Sequence, residues 1–286
     1  MHKEMSGKTV VVTGANTGIG KATAAILADK GAEVIMACRN LDRGQAALDE
    51  LAAMPGRCLT LMEIDLGDLS SVCRFAEEFK QRYHSLDVLI NNAGIVGQKH
   101  SLTRDGYEQQ FQTNYLGHFL LTLRLSPHIE SAPQGRVIML SSIAHHWTDV
   151  HFHDIHLEQH YNRMLAYGHS KLCCLLFCRH QAQQWHHRGA SATINAAHPG
   201  LVASDIIVDR RNNAYKWAAV LSRAVLIPPA SGAKTSVFLA SDDSLDHVSG
   251  EYFVRCKIAR SSPASKSMED AARLYDLSLA LCQSYL

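Results

Sequence analysis

The chain has 286 residues, 47% of them hydrophobic, so it can bury a substantial core without disulfide or metal support. Its 28 basic and 27 acidic residues leave a formal net charge of +1, which excludes a protein that binds nucleic acid through a basic surface. No apolar run reaches the roughly 18 residues that a membrane-spanning helix needs. The N-terminal MHKEMSGK is too short and too polar for a signal peptide.

The first half of the chain alternates short apolar runs with amphipathic segments. The runs KTVVVTG, AEVIMACR, CLTLMEIDL and LDVLINNAG predict four strands, and the segments between them have the spacing of helices. Near-continuous apolar strands that alternate with helices are typical of a parallel sheet covered on both faces.

The second half keeps this order with longer elements. We predict helices from about Tyr107 to Ile129 and from about Asn162 to Arg188, and another that begins near Ser231. The runs RVIMLSS, ASATINAAHPG and GEYFV predict the remaining strands. We therefore expect an α/β fold, a doubly wound parallel sheet of about seven strands with helices on both faces.

The domain organisation follows from the absence of any linker or internal repeat. We expect one domain over residues 1–286, with its core at 6–257 and a C-terminal helical extension at 258–286. The eight cysteines include no Cys-x-x-Cys pair, which is typical of reduced thiols in an intracellular protein.

A glycine-rich turn, TGANTGIG, joins the first strand to the first helix. Gly14, Gly18 and Gly20 allow the backbone to turn tightly and to approach a pyrophosphate, which the amide groups of the helix N-terminus would bind. The strand–turn–helix context makes this a dinucleotide-binding motif rather than an ordinary turn.

The residues after the second strand indicate which dinucleotide binds. An acidic residue there would accept the ribose 2′-hydroxyl and repel a 2′-phosphate, but this chain has Arg39 and Asn40. A guanidinium suits a phosphate, so we expect NADP(H) in preference to NAD(H). The alternative is that Arg39 is a solvated surface residue.

Further motifs follow in a fixed order, and together they resemble the short-chain dehydrogenases/reductases. The motifs are TGANTGIG, the DL pair at 65–66, NNAG at 91–94, TNYLGHF, VIMLSS, the Tyr167–Lys171 YxxxK pattern and HPG at 198–200. Within this superfamily of the Rossmann type the chain looks most similar to the retinol dehydrogenase group, through ACRN, TNYLGHFLLT, SSIAHH, HFHDI, AYGHSKL and YFVRCK.

The resemblance implies a set of cofactor-binding residues along these motifs. Expected are Gly14, Asn16, Thr17, Gly18, Ile19, Gly20, Arg39, Asn40, Asp65, Leu66, Asn91, Ala93, Gly94, Tyr167, Lys171, Pro199, Gly200, Val202 and Ser204. Ser204 stands where the family often has threonine, a change that keeps the hydroxyl.

The resemblance also implies hydride transfer between a nicotinamide and a carbonyl carbon, with four catalytic residues. Tyr167 would be the general acid/base, because a cation one helical turn away at Lys171 favours the phenolate. Ser142 would hydrogen-bond the substrate oxygen, and Asn114 would hold a water for proton relay. Taken one at a time, these residues also have ordinary structural explanations. Tyr167 and Lys171 could be a surface pair on a helix, Ser142 a serine that satisfies a turn at a strand end, and Asn114 a helical residue that bonds its own backbone.

A long histidine-rich insert lies between Ser142 and Tyr167, where many members of the superfamily have a shorter connection. It contains His145, His146, His151, His153, His156 and His160. Imidazole is a common metal ligand, but no cysteine and no secure pair of histidines on a helix completes a tetrahedral set. We therefore expect no metal and interpret the insert as a loop at the rim of the site.

The substrate is expected to be lipophilic, such as a retinoid or a fatty aldehyde. The segment 213–227 has an apolar face and is predicted either to cover the substrate, with peripheral membrane contact, or to pack on the core. Only five residues precede Ser6, so we expect a cytoplasmic protein, soluble or peripherally bound to membrane. Whether it forms a homo-oligomer is left open.

Two other functions are compatible with the same motifs. One is a reductase acting on a steroid or on a tetrapyrrole double bond, and the other is a non-catalytic dinucleotide sensor or scaffold. The presence of all four catalytic residues favours the enzyme.

Overall fold

The computed structural model describes residues 4–200 and 228–286. The predicted flap at 213–227 and the predicted cofactor contacts of Val202 and Ser204 lie outside the described residues.

Within these ranges eight strands form one sheet in the order β3-β2-β1-β4-β5-β6-β7-β8. The strands are β1 Thr9–Thr13, β2 Glu33–Cys38, β3 Cys58–Glu63, β4 Val88–Asn91, β5 Arg136–Leu140, β6 Thr193–His198, β7 Tyr252–Val254 and β8 Lys257–Ile258. The first seven run parallel, and β8 pairs antiparallel with β7. The doubly wound parallel sheet is thereby confirmed.

The described residues form eight strands, where the sequence predicted about seven. The additional strand comes from a two-residue hairpin in which Arg255 and Cys256 both have positive φ, 52° and 60°. Tight hairpins need this conformation and usually obtain it from glycine or asparagine. Neither residue type is present here, so the turn had no signal in the sequence.

Helices cover both faces of the sheet. They are α1 Gly18–Asp29, α2 Leu41–Ala52, α3 Leu69–Arg82, α4 Gln109–Phe111, α5 Gly117–Ser131, α6 Arg163–His187, α7 Pro229–Ser241 and α8 Met268–Leu281. The predicted helix from Tyr107 begins at Gln109 and is interrupted by a π-helical turn at Gln112–Leu116. Glu108 caps its start, accepting a hydrogen bond from the Phe111 amide at 2.7 Å.

The centre of β1 is apolar at consecutive positions because both of its faces are buried. Val10, Val11 and Val12 are all fully buried, yet Val11 packs in one core and its two neighbours pack in the other. Successive side chains of a strand point to opposite faces, so a strand between two helical layers needs apolar residues at every position.

The sheet order places a crevice beside β1. The chain winds outward from β1 through β2 and β3, then returns to pair β4 with the other edge of β1. In open α/β sheets ligands bind at such a reversal, beyond the carboxyl ends of the strands. Every predicted catalytic or cofactor motif that the structure describes lies in a segment following β1 to β6 or in the helices packed there.

Candidate active site

The glycine turn after β1 has the backbone geometry of an anion site. Gly14 and Gly18 have positive φ, 67° and 55°, and a Cβ on Gly20 would lie 2.4 Å from the Gly14 carbonyl oxygen. The N-cap of α1, Thr17, makes no capping hydrogen bond through its side chain, and the first turn contains no acid. The helix therefore presents uncapped amides to a ligand, which fits a pyrophosphate.

The turn is fastened to the loop after β4 through Thr13. Its hydroxyl oxygen accepts hydrogen bonds from the amides of Asn92 and Ala93, each at 2.9 Å. The Asn92 side chain donates to the Thr13 carbonyl at 2.7 Å. Three hydrogen bonds thus join the two strand ends that flank the crevice, through Thr13 and Asn92, for which the motifs predicted no role.

The remaining residues of the glycine turn differ in exposure. Asn16 is half-buried, Thr17 is exposed, and Ile19 is half-buried with its side chain packed against the core of the α1 face. A contact between Ile19 and a cofactor would therefore have to come from its backbone.

Arg39 lies directly after β2 and is exposed. It forms no ion pair with any residue in the described part of the chain. Asn40 caps α2, with its side-chain oxygen accepting from the Arg43 amide at 2.8 Å. The guanidinium is thus available to an anion, whereas the Asn40 oxygen is already in use.

The predicted cofactor residues after β3 and β4 have structural partners of their own. Asp65 accepts from the Gly67 amide at 2.9 Å, and Leu66 is buried in the core. The Asn91 side chain is buried and donates to Thr122 at 2.9 Å, and its Oδ1 has no partner among the described residues. The Asn91 side chain therefore joins β4 to α5.

Asn114 lies in the π-helical turn and is held by both ends of its amide. Its Oδ1 accepts from the Ile95 amide at 2.7 Å, and its Nδ2 donates to the Ile95 carbonyl at 3.0 Å and to Ser170 Oγ at 2.9 Å. The asparagine bonds across to the loop after Gly94 and to α6, rather than to its own helix. Single π turns of this kind are frequent at functional sites.

Lys171 is 4% exposed, and its ammonium lies near Gly94 and the Asn114 side chain. Nζ donates to the Leu140 carbonyl at 2.8 Å and lies 5.8 Å from the centroid of the Tyr167 ring. A Cβ on Gly94 would lie 3.4 Å from this Nζ and 3.3 Å from Asn114 Oδ1. Three of the predicted residues, Gly94, Asn114 and Lys171, thus meet at one point.

Tyr167 and Ser142 are both half-buried and belong to segments in contact. Ser142 caps a 3-10 turn, Ile143–Trp147, whose Ala144 carbonyl would lie 2.6 Å from a Cβ on Gly168. Glycine beside Tyr167 thus lets the turn after Ser142 pack closely on α6. Beyond β6, Pro199 and Gly200 are half-buried, and Gly200 has a φ of 85°.

Among the histidines of the insert, His145 and His146 have ring centroids 4.1 Å apart, whereas His151 and His156 pack against His169 and Tyr107. His145 is fully buried: its Nδ1 donates to the Ser142 carbonyl at 2.6 Å and its Nε2 accepts from the Ser262 amide at 3.1 Å. Burial lowers the pKa of His145 to about 4. Within residues 4–200 and 228–286, no group of three or more His, Cys, Asp or Glu side chains is placed to hold a metal ion.

His169 lies inside the YxxxK pattern and faces the insert. It stacks on Phe111 at 5.9 Å between centroids and accepts a hydrogen bond from the His151 amide at 3.4 Å. Burial lowers the pKa of His169 to about 3. The residue therefore anchors the rim loop to α6.

The sequence of this chain matches a known protein family and is similar to known retinol dehydrogenases. Residues 8–214 match the family model described as short chain dehydrogenase. Retinol dehydrogenase 11 of Homo sapiens is 39% identical over 97% of this chain and 86% of its own length. Retinol dehydrogenase 14 of Homo sapiens is 38% identical over 96% of this chain and 86% of its own length.

Solved structures give the same result. An uncharacterized protein from Mycobacterium paratuberculosis has a TM-score of 0.79 and 34% identity, covering 97% of this chain and 94% of its own. A putative NAD(P)-dependent gluconate 5-dehydrogenase from Beutenbergia cavernae, solved with NADP at low occupancy, has a TM-score of 0.71 and 27% identity, covering 88% of this chain and 97% of its own.

No helix in the described ranges is both long enough and apolar enough to cross a bilayer. The glycine turn, the YxxxK helix and the family match extend over the same part of the chain. The chain therefore belongs to the short-chain dehydrogenase family of oxidoreductases, and it is similar to retinol dehydrogenases.

Proposed function

We propose that this chain is an NADP(H)-dependent oxidoreductase that interconverts an aldehyde or ketone and an alcohol on a lipophilic substrate, such as a retinoid or a fatty aldehyde. The observation that carries the proposal is the buried Lys171 ammonium, which makes a single hydrogen bond to the described residues and lies beside the half-buried Tyr167. An ammonium has three donors, so two remain for a ligand at this point.

The described residues fit a nicotinamide dinucleotide. The uncapped amides after Gly14 would bind the pyrophosphate, Tyr167 and Lys171 would hold the nicotinamide ribose, and Pro199 and Gly200 would lie against the nicotinamide. The bound cofactor supplies or accepts a hydride at its nicotinamide ring.

The protein's own part in the reaction is the movement of a proton. Tyr167 would donate its hydroxyl proton to the carbonyl oxygen as that oxygen gains charge, or take it back from the alcohol in the reverse direction. The Lys171 cation would stabilise the phenolate that remains. Ser142 would hydrogen-bond the same substrate oxygen, and Asn114, fixed by Ile95 and Ser170, would keep the relay path behind Lys171 in place.

The preference for NADP(H) is supported by Arg39. Its guanidinium is exposed, follows β2 directly and makes no ion pair with another described residue, so a 2′-phosphate would be its partner. The absence of an acidic residue at positions 39 and 40 also removes the group that would repel this phosphate.

A lipophilic substrate is supported by the described rim of the site. Ile143, Trp147 and Met164 are 42%, 54% and 38% exposed. Ile143 and Trp147 begin and end the 3-10 turn that Ser142 caps, and Met164 lies one helical turn before Tyr167. Large apolar side chains exposed together around a site favour an apolar ligand. The names of the similar proteins, retinol dehydrogenases 11 and 14, support the same substrate class.

The test is a substrate panel with NADPH and with NADH that contains retinal, medium-chain aldehydes, a ketosteroid and a tetrapyrrole. We expect turnover of retinal or a fatty aldehyde with NADPH. Tyr167→Phe keeps the ring and removes the hydroxyl, and it should lose most of the turnover while retaining NADPH binding. Cofactor binding without turnover of any substrate would instead indicate a sensor, and a near-normal rate in Tyr167→Phe would exclude the proposed mechanism.

A further inference from the structure

His118 is a fully buried histidine at the start of α5 to which the sequence motifs assign no role. Its Nε2 lies 2.9 Å from Thr13 Oγ1, and its Nδ1 lies 3.1 Å from the carbonyl oxygen of Asn114. Thr13 ends β1 beside the glycine turn, and Asn114 is the proposed relay residue, so one side chain touches both halves of the site.

The partners determine which nitrogen carries the proton. A carbonyl oxygen can only accept, so Nδ1 is the protonated nitrogen and donates to Asn114. Nε2 is then the acceptor, and the Thr13 hydroxyl donates to it at 2.9 Å rather than to the Ile90 carbonyl, which lies farther away at 3.4 Å. Burial, together with the nearby charge of Lys171, lowers the pKa of His118 to about 3, which keeps the ring neutral at physiological pH.

The hydrogen bonds form a continuous chain in one direction. The amides of Asn92 and Ala93 donate to the Thr13 oxygen, Thr13 donates to His118, and His118 donates to Asn114. Thr13, His118 and Asn114 are all fully buried, so water does not readily replace a lost link between them.

The Asn114 carbonyl receives two side-chain donors. It belongs to the π-helical turn and accepts from His118 and from the Cys174 thiol at 3.4 Å. The side chain of the same residue is held by the Ile95 backbone. A shift of the turn would therefore move the amide that faces Gly94 and Lys171.

We propose that His118 is a positioning residue for the reaction, joining the cofactor-binding turn at Thr13 to the relay asparagine at Asn114. The proposal rests on the proposed function for the role of Asn114, whereas the link to the cofactor turn stands on the Thr13 contact. His118 itself neither touches the reacting atoms nor exchanges a proton with them.

Two substitutions separate the two links. His118→Asn keeps a donor near the position of Nδ1 and loses the acceptor for Thr13, so it should raise the NADPH dissociation constant at least tenfold and lower kcat less than threefold. His118→Gln can place an acceptor near the position of Nε2 and loses the donor to Asn114, so it should lower kcat at least tenfold and change NADPH affinity less than threefold. His180→Gln, at a buried histidine packed on Tyr275 away from the site, is the matched control.

NADPH affinity is measured by fluorescence, kcat on the best substrate of the panel, and folding by thermal unfolding. Because His118 is neutral, the pH profile of kcat should keep its shape in His118→Gln. Equal losses in both variants that follow their loss of thermal stability would overturn the proposal, since a residue that only fills the core would give this result.

A second pair of variants approaches the same link from Thr13. Thr13→Ser keeps the hydroxyl and should bind NADPH within threefold of wild type, whereas Thr13→Val should match His118→Asn in affinity. Equal affinities in Thr13→Ser and Thr13→Val would overturn the link even if the His118 variants do not fold. Failure of the wild type to turn over any substrate would refute the proposed function, and the NADPH measurements would still decide the Thr13 link.

Discussion

Lys171 donates a hydrogen bond from Nζ to the carbonyl oxygen of Leu140 at 2.8 Å, and only 4% of the residue is exposed. Leu140 is the last residue of β5, two positions before Ser142, so this bond joins the catalytic helix to the strand end that carries the serine. A charged group is seldom buried with one protein acceptor unless a ligand completes its surroundings.

We predict that Lys171→Met lowers kcat at least a hundredfold, in the range of roughly 10²–10⁴ for the loss of an acid–base partner. Methionine fills a similar volume and needs no hydrogen-bond partner, so the thermal midpoint should stay the same or rise. Lys80→Met, which removes a surface lysine paired with Glu77, is the control and should leave kcat unchanged. A loss of activity that only reflects unfolded protein would contradict the assignment.

Arg39→Asp should exchange the cofactor preference. The carboxylate would repel the 2′-phosphate of NADPH and accept a hydrogen bond from the ribose hydroxyl of NADH. We expect kcat/KM for NADPH to fall at least tenfold and that for NADH to rise. Arg43→Asp introduces the same charge change at an exposed position four residues further on, and it should leave the ratio of the two values close to wild type. An unchanged ratio in Arg39→Asp would mean that Arg39 does not bind the cofactor.

Gly94→Ala tests the point where three site residues meet. The added Cβ would lie 3.3 Å from Asn114 Oδ1 and 3.4 Å from Lys171 Nζ, closer than most Cβ contacts, so one of these groups must move. We expect a tenfold or greater fall in kcat. Because the backbone of Gly94 has no positive φ, the thermal midpoint should change little. Full activity would show that the two side chains tolerate displacement.

Buried neutral histidines predict a loss of stability in acid. Burial lowers the pKa of His169 to about 3 and that of His145 to about 4, while an unfolded histidine titrates near 6.5. The unfolded state therefore binds more protons, and the stability present above pH 6.5 is lost as the pH falls toward 4. The slope is about 1.4 kcal/mol per pH unit for each histidine.

Denaturant unfolding at pH 5, 6 and 7 measures this slope. His169→Gln should reduce the slope by the contribution of one titrating group. Phe111→Leu removes the ring that stacks on His169 and should lower the free energy of unfolding by the same amount at every pH. An unaltered slope in His169→Gln would show that His169 becomes charged within the fold.

Chelation should leave the enzyme active. The described residues, which include the six insert histidines, contain no set of three His, Cys, Asp or Glu side chains placed for a metal. Dialysis against EDTA is therefore expected to preserve kcat, measured with the best substrate. An activity that EDTA removes and zinc restores would require a metal site that includes residues outside the described ranges.

The order of the elements, the glycine turn and the YxxxK helix could all be predicted from local patterns. Their periodicity reports burial on one or both faces, and a backbone that must approach a phosphate needs glycine at fixed positions. Because apolar runs mark buried strands, the sequence predicted β1 to β7. It did not predict the β7–β8 hairpin, because Arg255 and Cys256 carry no turn signal.

The contacts within the site could not be read from the sequence. His118 meets Thr13 across 105 positions, and Asn92 meets Thr13 across 79. Hydrogen bonds between residues so far apart depend on the strand order and on the π-helical turn, and neither has a local pattern of its own. The same holds for the hydrogen bond from the Asn91 side chain to Thr122, across 31 positions.

The sequence by itself determined the chemistry that the chain contains: a phosphate-binding turn, a tyrosine and lysine one helical turn apart, and an arginine where an acid would select NAD(H). These depend on residue type and on short spacing, which backbone geometry translates directly into shape. Only the tertiary structure decided which of these groups meet, because the pairing of β1 with β4 brings Gly14 to Ala93, and the packing of α6 on β5 brings Lys171 to Leu140.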